Sequence, residues 1–191
     1  MKKFTALMLA MLMVMSLLAG CGSSEPAADA PAAEAPAAEA GAIKLGMCGP
    51  LTGGAAVYGT AVQAGMEIAV EEINAKGGLQ FALNSQDDEH DTEKAANAYN
   101  ALKDWGMQIM AGPVTTAPSN VVAGECANDG IFMLTPSGSG ASIIEYGDNI
   151  FQICFTDPNQ GTASADYMAT HDLGTTIGVI YDSSDVYSSG I

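Results

Sequence analysis

The sequence predicts an α/β fold: a doubly wound parallel sheet in a three-layer αβα lobe, followed by the incomplete start of a second αβ lobe. Three observations predict it. Short, continuously apolar runs alternate with stretches whose apolar residues recur at helical spacing. The runs lack the in–out alternation of a half-exposed sheet, so they read as strands covered on both faces. Loops rich in Gly, Pro, Ser and Thr follow these runs, where sheets of this kind place their ligand-binding loops.

The chain opens with an address. Lys2 and Lys3 precede an apolar stretch over residues 5–18. That stretch falls short of the ~20 residues a helix needs to span a bilayer. Leu18-Ala19-Gly20-Cys21 then matches the bacterial lipoprotein box. The match implies cleavage before Cys21 and lipid on its sulfur, so residues 1–20 read as a lipoprotein signal peptide. Residues 21–42 read as the lipidated Cys21 and a disordered tether of Ala, Pro and Glu. The tether has no large apolar side chain to bury, so nothing there offsets the entropy of folding. The expected location is the extracytoplasmic face of the cell membrane, held by lipid.

The regular pattern begins at Ile43. Residues 43–48 (IKLGMC) read as the first strand, ended by Gly49-Pro50. Val62, Met66, Ala69 and Ile73 mark a helix that stops at Gly77-Gly78. Residues 79–84 are a second strand. Asp91 caps a helix whose inner face carries Ala95, Ala98, Tyr99 and Leu102, and Gly106 ends it. Residues 107–112 are a third strand. A helix from about Pro118 to Asp129-Gly130 follows, with proline in its first turn. Residues 131–136 and 150–155 are the fourth and fifth strands, a helix runs from Gln160 to about His171, and residues 176–182 are a sixth strand. Residues 43–155 form the first lobe, and 156–191 start the second.

Charge and cysteine use narrow the function. The chain carries 22 Asp and Glu against 6 basic residues, a formal net charge of −16, so it repels nucleic acid. All the basic residues are lysines, which removes the usual bidentate clamp for an anion. Cys48, Cys126 and Cys154 form no CxxC pattern and read as small buried hydrophobes. No Ser/His/Asp set, nucleophile elbow or phosphate loop occurs, so neither catalytic residues nor a cofactor are expected. The loop Asp87-Asp88-Glu89-His90-Asp91 has hard oxygen ligands without a metal-binding spacing, and reads as a solvated rim.

Two loops carry the binding chemistry. Val114-Thr115-Thr116-Ala117-Pro118 runs from a strand end into a helix, whose free N–H groups and dipole favour an anion. Thr135-Pro136-Ser137-Gly138-Ser139-Gly140 offers hydroxyls on a backbone that can approach a ligand closely. Together they can hold a carboxylate without a cation. Local capping by Thr116 and ordinary turn chemistry account for the same residues equally well.

GPLTGGAAVYG, GMEIAVEEINAKGGL, AGPVTT, LTPSGSG and FTDPNQG, in that order, resemble the leucine/isoleucine/valine-binding proteins. These are type 1 periplasmic binding proteins, the solute receptors of ABC importers. The resemblance runs from about Ile43 to Ile191 and implies two lobes that close on an amino acid. It implies that Thr116 and Ser139 give hydroxyls to the ligand carboxylate, and that Ser137 and Gly138 give backbone groups to carboxylate and ammonium. Tyr58 takes the place of an aromatic wall, and Tyr187 that of a second-lobe tyrosine. His90 and Thr115 stand where better-known members have a disulfide. The implied partners are a small amino acid, branched-chain in the first instance, and the membrane subunits of an ABC permease. The implied state is a monomer tethered to the membrane through Cys21. A ligand-sensing receptor module for amino acids or small amides is the alternative. The sequence stops about halfway through the family's usual length, so this piece is expected to bind weakly with one jaw alone.

Overall fold

A computed structural model describes residues 41–191. The signal peptide, Cys21 and the tether as far as residue 40 lie outside the described residues. Five strands form one sheet: β1 (Ile43–Gly49), β2 (Phe81–Asp87), β3 (Ile109–Ala111), β4 (Phe132–Thr135) and β5 (Ile150–Gln152). Their order is β2-β1-β3-β4-β5 and every pairing is parallel. The order reverses between β1 and β3, so the chain winds both ways from the middle of the sheet.

Three helices connect the strands: α1 (Ala56–Ala75), α2 (Thr92–Trp105) and α3 (Thr116–Asp129). A 3-10 turn, Ala141–Glu145, joins β4 to β5. Helix α2 starts as its sequence dictates: the Asp91 carboxylate accepts from the Lys94 N–H at 2.8 Å, and Gly106 ends the helix in the left-handed region at φ 90°. Its buried face is Ala95, Ala98, Tyr99 and Leu102. That face, Val122, Ala123 and Cys126 of α3, and Cys48, Met110, Met133 and Ile150 of the sheet form one apolar core. The Tyr99 hydroxyl donates to Asp129 at 2.7 Å, and Lys103 pairs with the same carboxylate, which ties α2 to the end of α3.

The two faces of the sheet are covered unequally. Helix α1 packs chiefly on β1 and β2, whereas α2 and α3 cover the other face. Val62 and Met66 of α1 are half-buried, but Ala69 and Ile73 of its expected inner face are exposed, because the helix lies at the β2 edge. Its first turn sits tightly on the loop below: a Cβ on Gly59 would lie 2.0 Å from the Pro50 carbonyl oxygen. Farther along that face Phe132 and Phe151 stack at 5.2 Å between centroids and stay 41% and 47% exposed.

After β5 the chain forms helix α4 (Asp157–Thr170) and a short helix α5 (Val186–Gly190). Helix α4 begins three residues earlier than its pattern suggests, with Pro158 in its first turn. The expected sixth strand does not form. Residues 176–182 are irregular, and Val179 and Ile180 are 79% and 101% exposed. A parallel strand needs a neighbour for its hydrogen bonds, and among the described residues none lies beside this run. The fifth strand is also shorter than predicted and ends at Gln152. Cys154 therefore lies outside it, with its Sγ donating to the Gly138 carbonyl at 3.2 Å.

Leu102 is fully buried at the centre of the core. Leu102→Ala should cost about 2–5 kcal/mol of folding stability, read as a lower denaturant midpoint with the slope unchanged.

Candidate functional site

A cavity of about 320 Å³ opens at the carboxyl ends of the strands, and every strand sends a residue to it. Ala55 and Tyr58 follow β1, His90 follows β2, and Val114, Thr115 and Thr116 follow β3. Ser137 and Ser139 follow β4, and Phe155 follows β5. Asp185 and Tyr187, at the start of α5, complete the wall. No lysine lines the cavity, and its wall offers an anionic ligand group hydroxyls, N–H groups and the His90 imidazole.

The β3 and β4 loops are joined beneath the cavity by a buried polar network. The Thr135 hydroxyl donates to the Pro113 carbonyl at 2.7 Å and accepts from the Gly138 N–H at 2.9 Å. The Ser119 hydroxyl donates to the same carbonyl at 3.1 Å. Above them the Ser139 N–H donates to the Thr116 hydroxyl oxygen at 3.2 Å, leaving the Thr116 proton to another acceptor. Thr116 is the first residue of α3, and the preceding Thr115 makes no side-chain cap. The first-turn N–H groups and the positive end of the helix dipole are thus presented beside the hydroxyls.

The family model for periplasmic binding proteins matches residues 42–190. The chain belongs to that family. A Leu/Ile/Val-binding protein homolog from Brucella melitensis is 32% identical over 151 residues, which are 77% of this chain and 41% of that one. A leucine-, isoleucine-, valine-, threonine- and alanine-binding protein from Pseudomonas aeruginosa is 29% identical and covers 91% of this chain and 44% of its own. The crystal structure of LivJ from Streptococcus pneumoniae, in complex with isoleucine, superposes with a TM-score of 0.74 at 27% identity, over 78% of this chain and 44% of that one. The chain therefore spans about two-fifths of the length of these relatives.

In this periplasmic binding protein the cavity brings together Tyr58, Thr116, Ser137, Ser139 and Tyr187 from the sequence-predicted set. Gly138 lies behind the wall. Its N–H is taken by Thr135, and its carbonyl accepts from Gln152 at 2.6 Å and from Cys154. A Cβ at Gly138 would lie 2.5 Å from the Ser119 hydroxyl, so glycine is required there by packing. Val114 and Thr115 lie in the wall with the rest of their hydroxyl loop, whereas Phe155 and Asp185 were not expected there, and His90 was expected on a solvated rim. Thr115 carries a buried hydroxyl with no partner among the described residues.

The acidic loop is built as a backbone clamp. Asp87 accepts from the Leu51 N–H at 2.8 Å, the Glu89 N–H at 2.9 Å and the Thr52 hydroxyl. Burial alone would raise its pKa, but the hydrogen bonds from Thr52, Glu89 and Leu51 hold it below the usual carboxylate value. Asp88 is wholly buried, and one of its carboxyl oxygens has no partner among the described residues. Burial pushes its pKa up to about 6 against the hydrogen bond from the His90 N–H. Burial likewise drives up the Cys48 thiol and takes Cys126 to about 12, which leaves both as inert core groups. Among the described residues no group of three or more His, Cys, Asp or Glu could hold a metal ion. No described helix is long and apolar enough to cross a membrane.

Asp88 binds its proton more tightly when folded than unfolded, so its contribution to stability is complete at about pH 4 and is lost as pH rises through about 6. The denaturation midpoint should fall across that interval, and Asp88→Asn should flatten this part of the profile.

Proposed function

We propose that the complete gene product captures a small amino acid, branched-chain in the first instance, between two lobes and delivers it to an ABC importer. The observation that carries this reading is the cavity at the strand ends. Its hydroxyls and helix N-terminus are suited to a carboxylate, and its aromatic groups Tyr58, Phe155 and Tyr187 are suited to an apolar side chain. The relatives support it, since LivJ was solved with isoleucine and a Desulfitobacterium hafniense relative, 28% identical with a TM-score of 0.63, with leucine.

Thr116 and Ser139 bond the ligand carboxylate through their hydroxyls, and Ser137 adds a group at the rim. Tyr58 packs against the side chain from the first lobe, and Tyr187 meets the ligand from the second. The Tyr187 hydroxyl is held 3.1 Å from the Gln160 amide nitrogen, which fixes the ring at the mouth. Binding is reversible and closes the lobes by a hinge where the chain leaves β5. Lipid on Cys21 and the acidic tether hold the protein at the extracytoplasmic membrane surface as a monomer, within reach of the permease.

Calorimetry on the complete gene product with leucine, isoleucine, valine, threonine and small amides tests this reading. Thr116→Ala and Ser139→Ala should each weaken binding by ~1–3 kcal/mol, as for a lost hydrogen bond to a charged group. Absence of binding to any amino acid or small amide would refute the function, and unchanged affinity in both variants would refute the site.

A further inference from the structure

The β2 loop holds an unusual backbone. Glu89 and His90 are both left-handed, at φ 48° and 62°, a conformation that non-glycine residues adopt at a cost. The loop is held in this shape by its neighbours. The Glu89 N–H donates to Asp87 and the His90 N–H to Asp88, both at 2.9 Å, and the Asp91 N–H donates to the Asp88 carbonyl at 2.8 Å. The result carries the His90 side chain to the cavity wall, where its Nε2 lies 3.7 Å from a carboxyl oxygen of Asp185.

Asp185 has a second task. Its other carboxyl oxygen caps α5 by accepting from the Ser188 N–H at 2.8 Å. Helix α5 carries Tyr187 into the same cavity. One carboxylate thus connects a strained loop of the sheet-bearing lobe to the short helix that closes the wall. At 3.7 Å the contact is electrostatic, favoured by the protonated imidazole.

We propose that His90 is a positioning residue: through Asp185 it holds the Tyr187-bearing helix against the first lobe and so stabilises the ligand-bound arrangement. The proposal rests on the solute-binding reading for its effect on affinity, but the contact itself can be tested without a ligand.

The test is a double-mutant cycle in the complete gene product with His90→Asn and Asp185→Asn. Asparagine tolerates the left-handed region and caps a helix about as well as aspartate, so both substitutions remove the imidazole–carboxylate contact and keep the backbone. Two readouts are taken: amino-acid affinity by calorimetry, and hydrogen exchange of the Ser188 and Ser189 amides without ligand. Each single variant should weaken affinity about two- to fivefold, the range of a partly exposed ion pair. The double variant should be no weaker than either single, and exchange should quicken in both. Amino-acid binding with multiplying or absent effects and unaltered exchange would overturn the latch. Quickened exchange in a protein that binds no amino acid would uphold the latch and overturn the solute-binding reading alone.

Discussion

At the end of β4 one hydroxyl group serves two loops at once. Thr135 donates to the Pro113 carbonyl and accepts from the Gly138 N–H, and Ser119 reaches the same carbonyl from α3. Both side chains are fully buried, so water cannot replace any of these bonds. A made hydrogen bond of this kind contributes about 1 kcal/mol, whereas an unmade one leaves a buried polar group that costs about 1–3 kcal/mol. The network therefore acts mainly by excluding other arrangements of the two loops. With the loops fixed, Ser139 meets Thr116, and the start of α3 faces the same cavity.

The sheet supplies the frame on which this junction works. Reversal of winding between β1 and β3 separates the loops that follow them, and the cavity lies in the resulting crevice. The Asp157 N–H donates to the Ser139 carbonyl at 3.0 Å, so the start of α4 is attached to the site loop itself. The segment beyond β5 is thereby tied to the loop that follows β4. Its other attachment, through α5, is the looser one, since the described part of that segment is largely exposed.

Most of the sheet and its helices was legible because their signals are local. The Asp91 cap, the Ala95, Ala98, Tyr99 and Leu102 face and the Gly106 stop all act within one helix, and each can be read without a partner. The place of the two hydroxyl loops in the cavity wall was legible because both follow strands of a doubly wound sheet. The failures have a common cause in long-range placement. Residues 176–182 have strand composition, but a strand exists only beside another. Gly138 reads as a ligand group in a glycine-rich loop, and only the approach of Ser119 and Gln152 shows that its backbone is already engaged. His90 meets Asp185 across a large separation in sequence, through a left-handed turn that no spacing pattern announces.

The buried Thr135 junction preforms the wall of the cavity. The most direct measurement is ligand affinity of Thr135→Val in the complete gene product, alongside its folding stability. Valine keeps the shape but leaves the Pro113 carbonyl with one partner fewer and the Gly138 N–H with none among the described residues. The variant should still fold, with stability lowered by about 1–3 kcal/mol and affinity lowered at least tenfold. Wild-type affinity in a folded Thr135→Val protein would contradict it.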